Sequence, residues 1–185
     1  IDNSLSMDNQ NYSSSTTDTN IKLEESHPDE ALNYFNSGLA LYHQQKYDEA
    51  IAQFKKAIEI QPDFAYAYGN WGLALHELGR YDEAIVQYQK ATEIKSDDVG
   101  AYYNWGLALD KLKQYEKAIV QYQRATEIKS DDVNAYYSWG IALYELKQYN
   151  EAIAQYQKAT QVDADFAYAY HNLAYTLEKQ GRYQE

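Results

Sequence analysis

The residues that could carry chemistry in this sequence are four histidines, 28 aspartates and glutamates, and 21 tyrosines. None of His27, His43, His76 and His171 has a His, Asp or Glu neighbour at a spacing typical of metal ligands, so we expect isolated surface imidazoles and no metal site. The chain has no cysteine and therefore no thiolate chemistry. It also has no glycine-rich phosphate loop and no Ser, His and acid placed as a triad. The sequence predicts a protein without catalytic residues or a cofactor, which is not an enzyme.

The tyrosines are more informative, because most of them recur at a fixed interval. The stretch 68–91 reads YGNWGLALHELGRYDEAIVQYQKA, and close copies follow at 102–125 and 136–159. A weaker copy begins at Tyr34, and a partial copy begins at Tyr170. Self-similarity at a period of roughly 34 residues is typical of a solenoid built from stacked repeats.

Each full repeat reads as two antiparallel helices, A and B. The predicted repeats are 31–64, 65–98, 99–132, 133–166 and a partial fifth at 167–185. Positions are counted from the first residue of each repeat, so that position 1 of the second repeat is Ala65. The core residues of helix A are predicted at positions 4, 7, 8, 11 and 14, which follow helical spacing. In the second repeat these are Tyr68, Trp71, Gly72, Leu75 and Leu78, and the core of its helix B is Ala84, Ile85, Tyr88 and Ala91. A glycine recurs at position 8 although glycine inside a helix costs roughly 1 kcal/mol, so we expect the two helices to cross there closely.

The recurring aromatic, Gly, Leu, Tyr, Ala, aromatic, Ala pattern resembles the tetratricopeptide repeat (TPR) family over residues 31–185. The resemblance implies an all-α fold, a right-handed superhelical solenoid of antiparallel helix pairs with four full repeats and a truncated fifth. It also implies a non-enzymatic protein–protein interaction scaffold, in which the A helices line a concave groove for partner peptides.

One face of the predicted A helices has an unusual composition. Positions 4, 17 and 24 account for 13 tyrosines, and Tyr12 lies near the N-terminus. The other seven tyrosines, at positions 2, 5, 9 and 12, are Tyr42, Tyr66, Tyr103, Tyr137, Tyr144, Tyr168 and Tyr175. Position 9 carries Leu39, Leu73, Leu107 and Ile141, and position 6 carries Asn36, Asn70, Asn104 and Asn172. An ordinary amphipathic helix would place charges here, so we predict a peptide-binding surface. The alternative is that position 9 packs partly against the next repeat and that tyrosine is simply common.

The composition of this face restricts the partner. TPR domains that clamp a C-terminal carboxylate use Lys or Arg at positions 2, 5 and 6, and this chain has neither at those positions. The asparagines at position 6 are instead similar to the ladder by which some superhelical TPR proteins hold the backbone of an extended peptide. An amide suits that role because it offers both a donor and an acceptor, although Ser138 interrupts the series.

The remaining expectations come from charge and composition. The net charge of −12 argues against nucleic acid or an anionic membrane as partner, and no apolar run is long enough for membrane insertion. We expect residues 1–28 to form a disordered polar tail. We expect 27–30 to be a loop in which Pro28 stops one element and Asp29 and Glu30 open the next. The cytoplasm is the default location. Two alternatives to the peptide scaffold stay open: self-association through an open C-terminal edge, and a recognition module within a larger protein.

Overall fold

The computed structural model describes residues 28–181, which form nine α-helices without a strand. The helices are α1 (Pro28–His43), α2 (Tyr47–Ile60), α3 (Ala65–Glu77), α4 (Tyr81–Ile94), α5 (Val99–Lys111), α6 (Tyr115–Ile128), α7 (Val133–Glu145), α8 (Tyr149–Val162) and α9 (Ala167–Lys179). Four antiparallel pairs are formed by α1 to α8, and α9 is the A helix of a fifth unit. Each B helix also packs against the A helix that follows it. The predicted all-α solenoid is confirmed, whereas the predicted N-terminal tail lies outside the described residues.

The first helix starts earlier than the sequence predicted. The expected loop is wrong for residues 28–30, because α1 begins at Pro28, but the prediction that Asp29 and Glu30 open a helix is confirmed. Proline suits the first helical position, where its fixed φ is helical and its missing N–H would have no partner. Asp29 and Glu30 then lie in the first turn, where negative charge is favoured by the helix dipole.

The glycine at position 8 allows the two helices of a unit to cross closely. A Cβ atom added to Gly72 would lie 2.6 Å from Cε1 of Tyr88, closer than carbon atoms can pack. At position 8 of the other full units, an added Cβ atom would likewise clash with the aromatic ring at position 24 of the same unit. The pairs are Gly38 and Phe54, Gly106 and Tyr122, and Gly140 and Tyr156. These four rings are almost completely buried, so the predicted close crossing is confirmed and the ring at position 24 fills it.

The predicted core of helix A is correct only in part. In α3 the buried residues include Gly72 and Leu75 as expected, but also Ala67 and Ala74 at positions 3 and 10. Leu78, predicted as core, is 37% exposed because α3 ends just before it. The difference arises because α3 packs against α2 as well as α4. A helix that packs against two neighbours buries a wider face than the single row of residues predicted here. The small side chain of alanine allows α2 and α4 to approach α3 closely.

The turn between helices A and B follows one pattern in every unit. Position 15 has a positive φ throughout, whether it is glycine, as at Gly79 (73°), or not, as at Gln45 (61°), Lys113 (57°) and Lys147 (61°). Between units, the Asp98 side chain caps α5 by accepting a hydrogen bond from the backbone N–H of Ala101 at 3.0 Å. Within the described range, no helix combines the length and apolar character that crossing a membrane requires.

Candidate peptide-binding face

The residues predicted to bind a partner lie on one surface, which we call the A-face. It consists of positions 2, 5, 6, 9 and 12 of α1, α3, α5, α7 and α9. Its most exposed aromatic residues are Tyr66 at 51% and Tyr168 at 69%. The residues at position 9, Leu39, Leu73, Leu107 and Ile141, are half-buried and pack against the core clusters. Position 9 therefore contributes to the core as well as to the surface, as the alternative interpretation anticipated.

Aromatic rings at position 5 connect the A-face to the core. Three pairs join position 5 to position 24: Phe35 with Phe54 (5.8 Å, 47°), Tyr103 with Tyr122 (6.0 Å, 47°) and Tyr137 with Tyr156 (6.1 Å, 48°). These centroid separations lie within the favourable range for aromatic pairs. Tyr103 and Tyr137 therefore have a structural role in addition to any contact with a partner. The second unit has Gly69 at this position and no such ring.

The A-face is more continuously aromatic at the junction of the fourth and fifth units. The ring of Tyr137 lies 5.2 Å from Phe166 and 6.5 Å from Tyr168. Two turns further along, the ring of Tyr144 lies 5.9 Å from that of Tyr175. Adjacent A helices therefore bring tyrosines from neighbouring units into contact. The sequence predicted that the seven tyrosines share one face, but not that their rings pack together.

The asparagines at position 6 do not all occupy equivalent environments. The Nδ2 atoms of Asn70 and Asn104 donate to the backbone carbonyls of Tyr66 and Gly100, each at 2.8 Å. Asn172 Nδ2 instead donates across the unit boundary to Tyr137 Oη at 3.1 Å, and Asn36 is exposed. An amide nitrogen carries two hydrogens, so Asn70 and Asn104 are held by their own helices and keep further hydrogen-bonding capacity.

Asp110, at position 12 of the third unit, was missed as a site residue. Tyr122 Oη donates a hydrogen bond to its Oδ2 at 2.5 Å, and Oδ1 is buried without a hydrogen-bond partner. Burial raises the pKa of Asp110 to about 6, although the Tyr122 hydrogen bond and the charge of Lys111 act in the opposite direction. The sequence did indicate that this position is unusual, because the third unit has an acid, Asp110, where the fourth unit has Tyr144.

The histidine prediction needs one correction. His43 and His171 are exposed, and His27 lies outside the described residues. His76, however, is half-buried against Tyr81, with ring centroids 5.0 Å apart, and its Nδ1 atom is buried without a hydrogen-bond partner. Burial lowers the pKa of His76. Between residues 28 and 181, no three His, Asp or Glu side chains converge on a position suited to a metal ion.

A cavity of about 420 Å³ lies away from the A-face, between α4, α5 and α6. Its apolar lining comes from Ile85, Trp105, Leu109 and Val120. Its polar lining comes from Asp82, Gln89, Gln114, Lys117 and Gln121. None of these residues belongs to positions 2, 5, 6, 9 or 12 of an A helix, so the cavity is a separate feature that the sequence did not indicate.

Comparison with known proteins identifies the family. Residues 38–79, 72–113, 111–147 and 140–181 match the family model of the TPR repeat, and no match was found among curated proteins. Three solved structures resemble the chain. MamA 41-end from Desulfovibrio magneticus RS-1 is 24% identical, with 84% of this chain and 88% of that chain covered and a TM-score of 0.78. YrrB, described as a TPR protein with an unusual peptide-binding site, is 27% identical, with 86% and 82% covered and a TM-score of 0.73. The first TPR of Spaghetti (RPAP3), bound to the HSP90 peptide SRMEEVD, is 24% identical, with 65% and 95% covered and a TM-score of 0.64. Because the matched repeats run without a break from residue 38 to residue 181, the chain belongs to the TPR family.

Proposed function

We propose that this chain is a non-enzymatic protein-interaction scaffold that binds an extended peptide or protein segment along the A-face, in the groove of the TPR superhelix. The observation that carries the proposal is the composition of this face. Tyr66 and Tyr168 are exposed by half or more in places where a solvated helix would carry charges. Exposed aromatic and aliphatic residues in a contiguous patch usually mark an interaction site.

The asparagines supply the polar part of the proposed interaction. Asn70 and Asn104 lie at equivalent positions of consecutive A helices, and each donates a hydrogen bond to a backbone carbonyl one turn earlier in its own helix. Side chains that are already ordered lose little further entropy when a ligand binds. Their remaining donor and acceptor atoms match the N–H and C=O groups of an extended peptide.

The similarity to YrrB supports a peptide as the class of ligand, because that TPR protein has a peptide-binding site. The A-face also suggests which peptides to expect. The peptide bound to the RPAP3 domain is acidic at its end, but positions 2, 5 and 6 of this chain offer no Lys or Arg. We therefore expect segments that bind through their backbone and through apolar or aromatic side chains.

The proposal can be tested with a displayed library of random twelve-residue peptides selected on the immobilised protein. A selected peptide is then titrated calorimetrically against the wild type and against the double variant Asn70→Ala/Asn104→Ala. We expect a loss of affinity of roughly 30-fold or more, because each of the two unpaired polar groups costs about 1–3 kcal/mol. Val86→Ala, at an exposed site on α4, is the control and should bind like the wild type. Equal affinity for the folded double variant would refute binding through the asparagines.

A further inference from the structure

We propose that the cavity between the second and third units binds a lysine side chain of a partner protein. The cavity has a volume of about 420 Å³ and lies on the side of the array formed by the B helices. Its walls combine the indole of Trp105 and the aliphatic side chains of Ile85 and Leu109 with the carboxylate of Asp82. The site is therefore distinct from the A-face, and the proposal does not depend on peptide binding there.

The junction between the first and second units shows how this chain fills the equivalent place. Lys55 Nζ lies over the ring of Trp71, 4.9 Å from its centroid. Arg80 Nη1 lies 3.8 Å from Asp48 Oδ1, and Arg80 also forms two hydrogen bonds with Glu83 at 2.7 and 2.6 Å. Here an aromatic ring and acidic groups hold two cations that belong to the chain itself.

At the next junction the aromatic ring and the first acid remain, but the cations are absent. Trp105 and Asp82 correspond to Trp71 and Asp48 one repeat earlier. Gln89 replaces the lysine and Gln114 replaces the arginine. Both glutamines line the cavity, so the space lies at a junction that lacks the two cations of the first junction, although Lys117 also lines it.

The lining of the cavity matches the two parts of a lysine side chain. An ammonium group is attracted to the face of an indole ring and to the Asp82 carboxylate. The methylene groups of lysine pack on apolar surface, here provided by Ile85, Leu109 and Val120. Lys117 is the opposing charge, and its Nζ donates to Gln114 Oε1 at 2.8 Å. In the junction between the first and second units, the equivalent residue is Glu83. Repulsion from Lys117 should therefore weaken the binding of a cation without excluding it.

The test uses defined small probes on the full chain labelled with nitrogen-15. We expect n-butylammonium to shift the Trp105 indole N–H signal saturably, and the neutral n-butanol to shift it at least fivefold more weakly at equal concentration. Gln89→Lys should abolish the shift, because it restores the lysine found at position 55. Lys117→Glu should tighten binding several-fold. Gln157→Lys is the matched control and should leave binding unchanged, since it adds the same charge at the equivalent position of the fourth unit, where the next unit has Leu173 at the position of Trp105.

A second pair of probes tests whether the ligand is a protein lysine. Nα-acetyl-lysine amide should bind at the same site, and the form that is also acetylated on Nζ should not. Binding of n-butylammonium without binding of the lysine derivative would overturn a partner lysine in favour of a free amine. Equal shifts from n-butanol, an unchanged response in Gln89→Lys, or no response to any probe would overturn the cation site itself.

Discussion

At the scale of single residues, Lys147 has a backbone conformation that suits glycine better than lysine. Its φ is 61°, and its N–H donates to the carbonyl of Tyr144 at 2.8 Å, as Gly79 does to His76 at 2.9 Å. A left-handed conformation costs a residue with a Cβ atom roughly 1–2 kcal/mol. Because glycine also gains freedom in the unfolded chain, we expect Lys147→Gly to raise the free energy of unfolding by about 1 kcal/mol. Urea denaturation measures the change.

The adjacent residue provides the control for this prediction. Gln148 has a φ of −85°, which any residue adopts, so Gln148→Gly should be neutral or slightly destabilising. If the two variants change stability alike, the strain assigned to position 15 is absent.

Asp110 should make the stability of the fold depend on pH. Its pKa is raised to about 6 in the folded protein, above the ordinary aspartate value of about 3.9. Between these two values the folded state holds the proton and the unfolded state does not, so stability falls as the pH rises through this window. Asp110→Asn removes the effect, and its amide oxygen can still accept from Tyr122. After allowance for partial solvent screening, we expect the variant to exceed the wild type by up to about 2 kcal/mol at pH 7.5 and to equal it near pH 4.

Denaturation at pH 4, 6 and 7.5 measures this difference. Glu93→Gln, which neutralises an exposed carboxylate on α4, should show no comparable pH-dependent gain. A difference between Asp110→Asn and the wild type that does not change with pH would mean that Asp110 ionises alike in the folded and unfolded chain.

At the scale of a helix, α3 contains two glycines that should respond oppositely to the same substitution. A Cβ atom at Gly72 would meet the ring of Tyr88 at 2.6 Å, whereas one at Gly69 would meet nothing within 4 Å. Gly72→Ala should therefore destabilise by about 1–3 kcal/mol through overpacking. Gly69→Ala should stabilise by about 0.5–1 kcal/mol, because glycine is unfavourable inside a helix. Thermal and urea denaturation measure both changes, and effects of the same sign would contradict the close crossing.

The helix pairs could be predicted from the sequence because the same packing residues recur at the same positions in every full unit. A glycine at position 8 recurs in every full unit, so the close crossing could be expected before any coordinates, whereas the contact of Gly72 with the Tyr88 ring was not predicted. The burial of Ala67 and Ala74 could not be expected, because a helical stripe describes contact with one neighbour whereas α3 packs on two. Alanine also gives a weak hydrophobic signal, although it is buried here wherever two helices approach.

The surfaces were harder to predict, because they depend on atoms from different units. The asparagine series was visible in the sequence, but the hydrogen bonds of Asn70 to its own helix and of Asn172 to Tyr137 depend on which side chains lie nearby. Gln89 lines the cavity beside Trp105, whereas Lys55, at the equivalent position one repeat earlier, places its ammonium group over Trp71. That comparison carries meaning only once Lys55 is seen to lie over Trp71 in the preceding junction.

At the scale of the whole molecule, the described helices pack in sequence order. An A helix such as α5 packs against the B helices on both sides, α4 and α6, and touches α3 and α7 only slightly. Among the described helices, α9 packs mainly against α8 and also contacts α7 through Asn172 and Tyr175. In such an array, stability is approximately a sum of the stabilities of single repeats and of nearest-neighbour interfaces. Different parts of the chain should therefore open with different free energies.

Native-state hydrogen exchange should resolve these local openings. Gly72→Ala should reduce protection in α3 and α4 and in their neighbours α2 and α5. It should leave that of α9 nearly unchanged, since the destabilised unit does not contact α9. If every helix instead exchanged with one common free energy, and all shifted equally in the variant, the array would unfold as a single cooperative body and nearest-neighbour energetics would not describe it.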